Sequence, residues 1–244
     1  MEPLRCVLQF LFYGGIMSRK NSTQRKSNKI LEQENACRAS LITCYNNEQE
    51  NALEVIRNNT ITFLIGPAGT GKTHIAIAYA ICEFLDNKYK KIIMTRPAVE
   101  AGERLGSLPG LLEEKIHPYM IPLLDFLEEK LQKKFIQKCF EDGQFEIAPL
   151  GFFRGRNFKD SFILLDESQN ATKEQILMCM TRIGQGSKMI INGDPQQSDL
   201  NGKGKLLEIS KKLSEIDSIG RAELTYSVRH PLVDKITKKF EEFN

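Results

Sequence analysis

The chain alternates between short apolar runs and longer stretches with helical spacing. The short runs are rich in β-branched and aromatic side chains, as buried strands are. They predict strands at Ile61 to Ile65, Lys91 to Thr95, Phe145 to Ala148, Phe162 to Leu165, Met189 to Asn192 and Ala222 to Thr225. Because helical stretches separate these runs, we predict an α/β fold with a parallel sheet covered on both faces.

Most of the longer stretches repeat their apolar residues every three or four positions, which predicts amphipathic helices. They are Asn47 to Arg57, Lys72 to Leu85, a segment carrying Met120, Leu124, Leu127, Leu131 and Phe135, then Lys173 to Arg182, Lys203 to Leu213 and Pro231 to Phe243. Thr172 is a candidate N-cap, and Pro231 suits the first turn of the closing helix. With no internal repeat, residues 47–244 are predicted to form one domain.

Residues 1–46 lack this organisation and are predicted to form a flexible, partly basic extension. Residues 18–29 contain no acid, so they are either an arm that contacts phosphates or an ordinary solvated terminus. An apolar run follows Arg5, but no cleavage site typical of a signal peptide comes after it. Met17 is also a natural start, so residues 1–16 are either part of the protein or an upstream over-extension.

Composition narrows the function classes. Hydrophobic residues make up 41% and charged residues 27%, as in ordinary globular proteins, and the net charge of +3 does not by itself argue for nucleic-acid binding. No apolar stretch approaches the roughly 18 residues that span a bilayer. The six cysteines lack C-x-x-C spacing, so we expect reduced thiols in a cytoplasmic protein rather than a zinc site.

The turn after the first predicted strand carries the most specific signal. It fits the pattern G-x-x-x-x-G-K-[ST] with Gly66, Pro67, Ala68, Gly69, Thr70, Gly71, Lys72 and Thr73. Glycines let successive backbone amides face an anion, and the following helix adds the positive end of its dipole. Lys72 is predicted to contact the β- and γ-phosphates, and the Thr73 hydroxyl to bind Mg²⁺. Because no N-K-x-D sequence is present to bind guanine, the nucleotide is predicted to be ATP.

A second predicted strand ends in two acids, Asp166 and Glu167. We predict that Asp166 holds Mg²⁺ through its water shell, and that Glu167 polarises the attacking water. A third strand delivers Asp194 and Gln197 to the same edge of the sheet, where ligands bind in such folds. Either residue could sense the γ-phosphate or fix the water, and an ordinary turn around Asp194 is the alternative.

These motifs and the segments between them resemble the PhoH-like ATPases over about residues 47–233. That family is similar to the first RecA-like domain of superfamily 1 helicases. The resemblance rests on the motifs around Thr95-Arg96-Pro97, Phe153-Arg154-Gly155-Arg156, Asp166-Glu167-Ser168-Gln169-Asn170-Ala171-Thr172, Gly193-Asp194 with Gln197, and Val228-Arg229-His230-Pro231. Ser107 and Ser168 depart mildly from the family pattern.

The resemblance implies that Gln49 contacts adenine, and that Arg229 or Arg156 stabilises charge on the γ-phosphate, with a neighbouring subunit as one source of that arginine. It also implies a RecA-like P-loop fold of the short, single-domain type found in bacteria and phages. A second RecA-like domain is missing, so coupling to work implies a homo-oligomer, of which a ring is one form. The cytoplasm, or the host cytoplasm for a viral protein, is the expected location.

Three function classes follow. The first is a Mg²⁺-dependent ATPase that binds or remodels single-stranded RNA, for which the basic residues are Arg19, Lys20, Arg25, Lys26 and Lys29. The second is a nucleotide-dependent regulatory switch with slow hydrolysis; the presence of Glu167 and the arginines favours turnover instead. The third is a small-molecule kinase, which leaves the Gln169-Asn170 and Gly193-Asp194 motifs without a role.

Overall fold

The computed structural model describes residues 41–97, 112–197 and 205–228, together with 232, 233, 235, 236 and 239; for residues 112–120 only the backbone is described. The strands are β1 (Ile61–Ile65), β2 (Lys91–Thr95), β3 (Phe145–Ile147), β4 (Ser161–Leu165), β5 (Lys188–Gly193) and β6 (Ile219–Glu223). The helices are α1 (Asn47–Asn58), α2 (Lys72–Leu85), α3 (Leu112–Lys130), α4 (Lys133–Glu141), α5 (Lys173–Met180) and α6 (Leu206–Leu213), with 3₁₀ turns at Leu150–Phe153 and Ser168–Asn170.

The six strands form one sheet in the order β3-β2-β4-β5-β1-β6. Every pairing in it is parallel, which confirms the predicted α/β class. Because the strands share one direction, their carboxyl ends meet at a single edge. The loops after β1, β2, β4 and β5 therefore lie side by side, and β5 separates the strand that precedes the glycine-rich turn from the strand that precedes the paired acids.

Both faces of the sheet are buried. Leu64 of β1 packs on the side covered by α1 to α4, whereas Phe63 and Ile65 pack on the side covered by α5 and α6. The same alternation separates Ile163 from Leu164 in β4. Strands that bury both faces require nearly continuous apolar sequence, which is why these runs could be recognised in the chain.

The structure contains two helices where the sequence predicts one. The spacing from Met120 to Phe135 predicts a single amphipathic helix, but α3 ends at Lys130 and Gln132 adopts an extended conformation before α4 begins. Leu127 and Leu131 are both buried in the core. The apolar spacing therefore continues across the break, and periodicity alone could not reveal it.

The strand predicted at Ala222 to Thr225 is placed too late in the chain, because β6 begins at Ile219 and ends at Glu223. This strand lies at the edge of the sheet, where Gly220 and Arg221 interrupt its apolar character. Thr172 is confirmed as the N-cap of α5, in a capping box with Gln175. The start predicted for α6 at Lys203 and most of the predicted helix from Pro231 lie outside the described residues.

The structure also bears on the predicted start of the domain and on the cysteines. Leu41, ahead of the predicted domain boundary, is buried against the core. No cysteine within the described residues forms a disulfide, and Cys82 and Cys179 are buried as predicted. None of the described helices has the length and apolar composition needed to cross a membrane.

A buried lysine joins the start of β5 to the end of α1. Lys188 is 6% exposed, and its ammonium donates hydrogen bonds to the carbonyl oxygens of Ile56, Arg57 and Asn59. The last carbonyls of a helix have no partner within the helix, so a cation placed there satisfies them and complements the helix dipole. Lys188 thereby fixes α1 against the sheet.

Replacing Lys188 with Met removes this donor and leaves buried carbonyls unsatisfied, which costs about 1–3 kcal/mol. We expect the free energy of unfolding in urea to fall by that amount. Lys91→Met is the matched control, because Lys91 also begins a strand of the sheet but is exposed. Equal stability of the two variants would contradict the assigned role.

Candidate nucleotide-binding site

A cavity of about 540 Å³ lies at the carboxyl edge of the sheet. Its walls are the loops after β1, β2, β4 and β5, the first turn of α2, part of α3 and the segment ahead of α1. The fold therefore brings the glycine-rich turn and the acids after β4 and β5 to one place, as the sequence predicts.

The turn from β1 to α2 requires glycine at two positions. Gly71 has φ +87°, and a Cβ there would lie 2.6 Å from the side-chain nitrogen of Gln49. At Gly66, a Cβ would lie 1.9 Å from the carbonyl oxygen of Leu224, in the chain that follows β6. Larger residues would push the turn away from its neighbours. Glycine is therefore needed here for close packing as well as for backbone conformation.

Two charged side chains lie against this turn. The Lys72 ammonium donates hydrogen bonds of 2.7 Å to the carbonyl oxygens of Gly66 and Pro67. The Asp194 carboxylate accepts a hydrogen bond of 3.1 Å from the amide of Ala68. An amide of the turn thus already faces an anionic oxygen, and α2 begins at Lys72 with the positive end of its dipole at the same point.

Side-chain oxygens of the kind that bind hard cations converge between β1 and β4. The Thr73 hydroxyl donates to Asp166 Oδ1 at 2.8 Å, and the Asn192 side-chain amide donates to the same hydroxyl at 3.1 Å. Asn192 Oδ1 is buried, and no residue that the structure describes satisfies it. The described residues contain no cluster of three or more His, Cys, Asp or Glu able to hold a metal. The oxygens of Thr73, Asp166 and Asn192 instead fit Mg²⁺, which commonly uses one or two protein oxygens together with water and substrate phosphates.

The second acid lies at the end of a hydrogen-bonded chain. Gln169 donates to Glu167 Oε2 at 2.6 Å and accepts from the amide of Asp194 at 3.0 Å. Glu167 has φ +53°, an uncommon conformation for a residue with a side chain. Such backbone strain occurs often at functional sites. Gln169 therefore fixes Glu167 relative to the loop after β5, a role the sequence motif did not reveal.

Gln49 lies beneath the glycine-rich turn. It is 1% exposed, donates to the carbonyl oxygen of Thr70 at 2.9 Å, and accepts from the amide of Tyr45 at 2.7 Å. Gln49 also lines the cavity. Its position supports the turn directly, while the contact with adenine stays a prediction.

The neighbouring Glu48 makes a second connection from the first turn of α1. Its carboxylate accepts hydrogen bonds from the amides of Thr225 and Tyr226 at 2.6 and 2.9 Å, and from the Thr225 hydroxyl at 2.5 Å. These hydrogen bonds, led by that of the hydroxyl, lower the pKa of Glu48. Adjacent residues of α1 thus contact the turn after β1 and the segment after β6.

Aromatic rings also line the cavity. Tyr45, His74 and Phe126 lie there, with the Tyr45 and His74 rings 6.4 Å apart. Burial, and then the charge of Lys130, lower the pKa of His74, which favours the neutral ring. His74 Nε2 is buried, and no described residue hydrogen-bonds to it. Flat apolar surfaces with a few polar atoms suit a planar ligand.

The family model described as PhoH-like protein matches residues 41–241. The chain belongs to the PhoH-like family. It is 47% identical over 199 residues to a PhoH-like protein of Mycobacterium tuberculosis (strain H37Rv), covering 80% of this chain and 56% of that one. It is likewise 47% identical over 200 residues to a PhoH-like protein of Bacillus subtilis (strain 168), covering 80% and 63%. The PhoH-like chain therefore spans less than two thirds of the length of these relatives.

A solved structure shows the same fold. The large terminase from a thermophilic bacteriophage superposes with a TM-score of 0.51 at 12% identity, covering 81% of this chain and 50% of that one. The parallel α/β architecture predicted for the PhoH-like chain is thus confirmed.

Not all predicted residues lie in this cavity. Gln197, Asp194 and Glu167 line it. Arg156 does not: it pairs with Glu146, with one contact of 2.7 Å, and its guanidinium lies 4.6 Å from the centre of the Phe158 ring. Its predicted role at a neighbouring subunit's site stays a prediction. Arg229 lies outside the residues that the structure describes.

Arg96 and Asn192 also line the cavity of this PhoH-like chain, although the sequence motifs did not single them out for the site. Arg96 directly follows β2, and Asn192 is the next-to-last residue of β5. The same criterion, a polar residue at the carboxyl end of a predicted strand, would have identified both.

The support that Gln49 gives the turn can be tested without nucleotide. In Gln49→Ala the Thr70 carbonyl and the Tyr45 amide lose their partner, and we expect a loss of about 1–3 kcal/mol in the free energy of unfolding. Gln137→Ala is the control, because the Gln137 side chain donates to Glu141 on an exposed part of α4. A glutamine needed solely for adenine would leave the stability of the nucleotide-free protein unchanged.

Proposed function

We propose that this PhoH-like protein binds ATP with Mg²⁺ and hydrolyses it. The observation that carries the proposal is the 2.8 Å hydrogen bond from Thr73, in the first turn of α2, to Asp166 at the end of β4. A hydroxyl beside a phosphate-binding turn and a buried carboxylate on a neighbouring loop are the protein ligands that a P-loop ATPase gives to Mg²⁺.

In this proposal, the amides of residues 66–73 and the Lys72 ammonium hold the β- and γ-phosphates. Lys72 exchanges the carbonyl oxygens of Gly66 and Pro67 for phosphate oxygens, and Asp194 releases the amide of Ala68. When bound, Mg²⁺ supplies neutralisation of the charge that develops on the phosphates. The protein's part is to hold Thr73 and Asp166 at the distance already present.

Glu167 is proposed as the general base. Its contact with Gln169 fixes the carboxylate in the wall of the cavity, where it accepts a proton from a water molecule that attacks the γ-phosphate. Gln197 lies on the same wall and is proposed to orient that water. The adenine ring is proposed to lie beside Tyr45 and His74, with Gln49 contacting it.

We further propose that hydrolysis is coupled to single-stranded RNA in a cytoplasmic homo-oligomer. The resemblance to helicase-like ATPases and the basic residues of the N-terminal extension support RNA as a partner. Arg229 or Arg156 of one subunit is proposed to stabilise charge on the γ-phosphate at a neighbouring site, because the planar guanidinium can grip phosphate oxygens.

The catalytic assignment predicts different defects in two variants, one in ATP binding and one in hydrolysis. Lys72→Ala removes a charge-assisted contact with phosphate, so ATP binding is expected to weaken by roughly 10- to 100-fold. Glu167→Gln keeps the binding contacts and is expected to lower hydrolysis by roughly 10²- to 10⁴-fold, with ATP trapped on the protein.

Binding of a fluorescent ATP analogue and release of phosphate, each with Mg²⁺ and with EDTA, measure these defects. Lys90→Ala and Glu208→Gln are matched controls, because both side chains are exposed and pair on other surfaces. Full hydrolysis by Glu167→Gln would exclude Glu167 as the base. Tight Mg²⁺–ATP binding by Lys72→Ala would contradict the assigned phosphate site.

For RNA, we expect binding at low salt and faster ATP hydrolysis on addition of single strands. Replacing the five basic residues of the extension with Gln should weaken binding and flatten its salt dependence, by a slope of about 0.7 for each phosphate that is no longer neutralised. The residues replaced are Arg19, Lys20, Arg25, Lys26 and Lys29. Absence of both binding and acceleration for the unaltered protein would exclude RNA as the partner.

A further inference from the structure

The carboxylate proposed to hold Mg²⁺ already has a cationic partner. Arg96 donates from Nε to Asp166 Oδ2 at 2.7 Å and from Nη2 to the same oxygen. Asp166 Oδ1 faces the other way and accepts from the Thr73 hydroxyl. One oxygen of Asp166 is thus committed to the phosphate-binding turn and the other to a guanidinium.

Strand pairing fixes this contact. Thr95 and Leu165, the last residues of β2 and β4, are direct partners in the sheet, and the amide of Asp166 donates to the carbonyl oxygen of Thr95 at 2.9 Å. Arg96 and Asp166 are the next residues along the two strands. Their proximity follows from the register of the sheet and does not depend on a long loop.

Burial gives the pair its importance. Asp166 is 1% exposed and Arg96 is 15% exposed. An ionised carboxylate removed from water requires a compensating charge or several hydrogen-bond donors. Arg96 provides that charge in the protein alone, and both residues line the cavity proposed for the nucleotide.

A divalent cation cannot simply be added to this arrangement. A guanidinium and Mg²⁺ placed on the same carboxylate repel each other, and the repulsion is strong where water is largely excluded. We propose that Arg96 is a resident counter-cation of Asp166 which Mg²⁺ must displace, so that Arg96 sets the Mg²⁺ concentration at which nucleotide binds. The inference rests on the proposed function and adds a residue that opposes metal loading.

Removing the Arg96 guanidinium is expected to lower the Mg²⁺ concentration that nucleotide binding requires. In Arg96→Met, Mg²⁺ no longer displaces a guanidinium, so its half-saturating concentration for binding a nonhydrolysable ATP analogue is expected to fall about tenfold, the scale of one charge-assisted hydrogen bond. Arg96→Lys retains a charge without the planar fork, so its half-saturating Mg²⁺ concentration is expected to fall by less, about two- to threefold. Analogue fluorescence during a Mg²⁺ titration measures both, independently of hydrolysis.

The same variants have a signature without metal. Arg96→Met leaves Asp166 buried without this partner, so its melting temperature in EDTA is expected to fall relative to the unaltered protein, and the gap is expected to narrow when Mg²⁺ and the analogue are added. Arg221→Met is the matched control, because Arg221 is similarly buried and pairs with Glu223 away from this cavity. Its Mg²⁺ dependence is expected to stay unchanged.

A measurement on the unaltered protein covers the case in which Arg96→Met does not fold. The NMR signal of the Arg96 Nε–H, assigned by its loss in Arg96→Lys, is expected to shift when the analogue is added with Mg²⁺ and to stay in place when it is added with EDTA. A shift of equal size in EDTA, or none with Mg²⁺, would overturn the inference.

The titration separates the two proposals. Equal or higher half-saturating Mg²⁺ in Arg96→Met would overturn the role of Arg96 and leave ATP binding standing. Failure of the unaltered protein to bind the analogue at any Mg²⁺ concentration would overturn the proposed function, and this inference with it.

Discussion

The buried negative charge of Asp166 is the constraint on which this site depends. Its carboxylate is almost fully removed from water, at the end of a strand whose residues are all buried. Such a charge is tolerated only where donors and cations surround it. Thr73 comes from the helix start after β1 and Arg96 from the loop after β2, so the strand order β2-β4-β5-β1 within the sheet assembles that environment.

Parallel pairing turns this local need into a functional surface. With β5 between β1 and β4, Asn192 at the end of β5 reaches the Thr73 hydroxyl, and the following Asp194 reaches the Ala68 amide. Polar groups that are far apart in sequence therefore share one edge. The apolar strands exclude water below that edge, which strengthens the electrostatic contacts above it.

What the sequence could predict depends on how local each signal is. The turn from Gly66 to Thr73 is recognisable because its conformation, helix start and chemistry are encoded in adjacent residues. The role of Arg96 arises from the register of β2 with β4, which no local pattern encodes. The break at Gln132 is hidden because buried leucines continue the helical spacing across it, and the bounds of β6 are hidden because an edge strand carries a weak apolar signal.

The first turn of α1 has a consequence for how two distant segments of the chain are held. Gln49 contacts Thr70, and its chain neighbour Glu48 contacts Thr225 and Tyr226. Adjacent residues of one helical turn therefore attach both the phosphate-binding turn and the segment that follows β6. Two segments that are far apart in the chain thus share one point of attachment, and the position of each depends on how α1 begins.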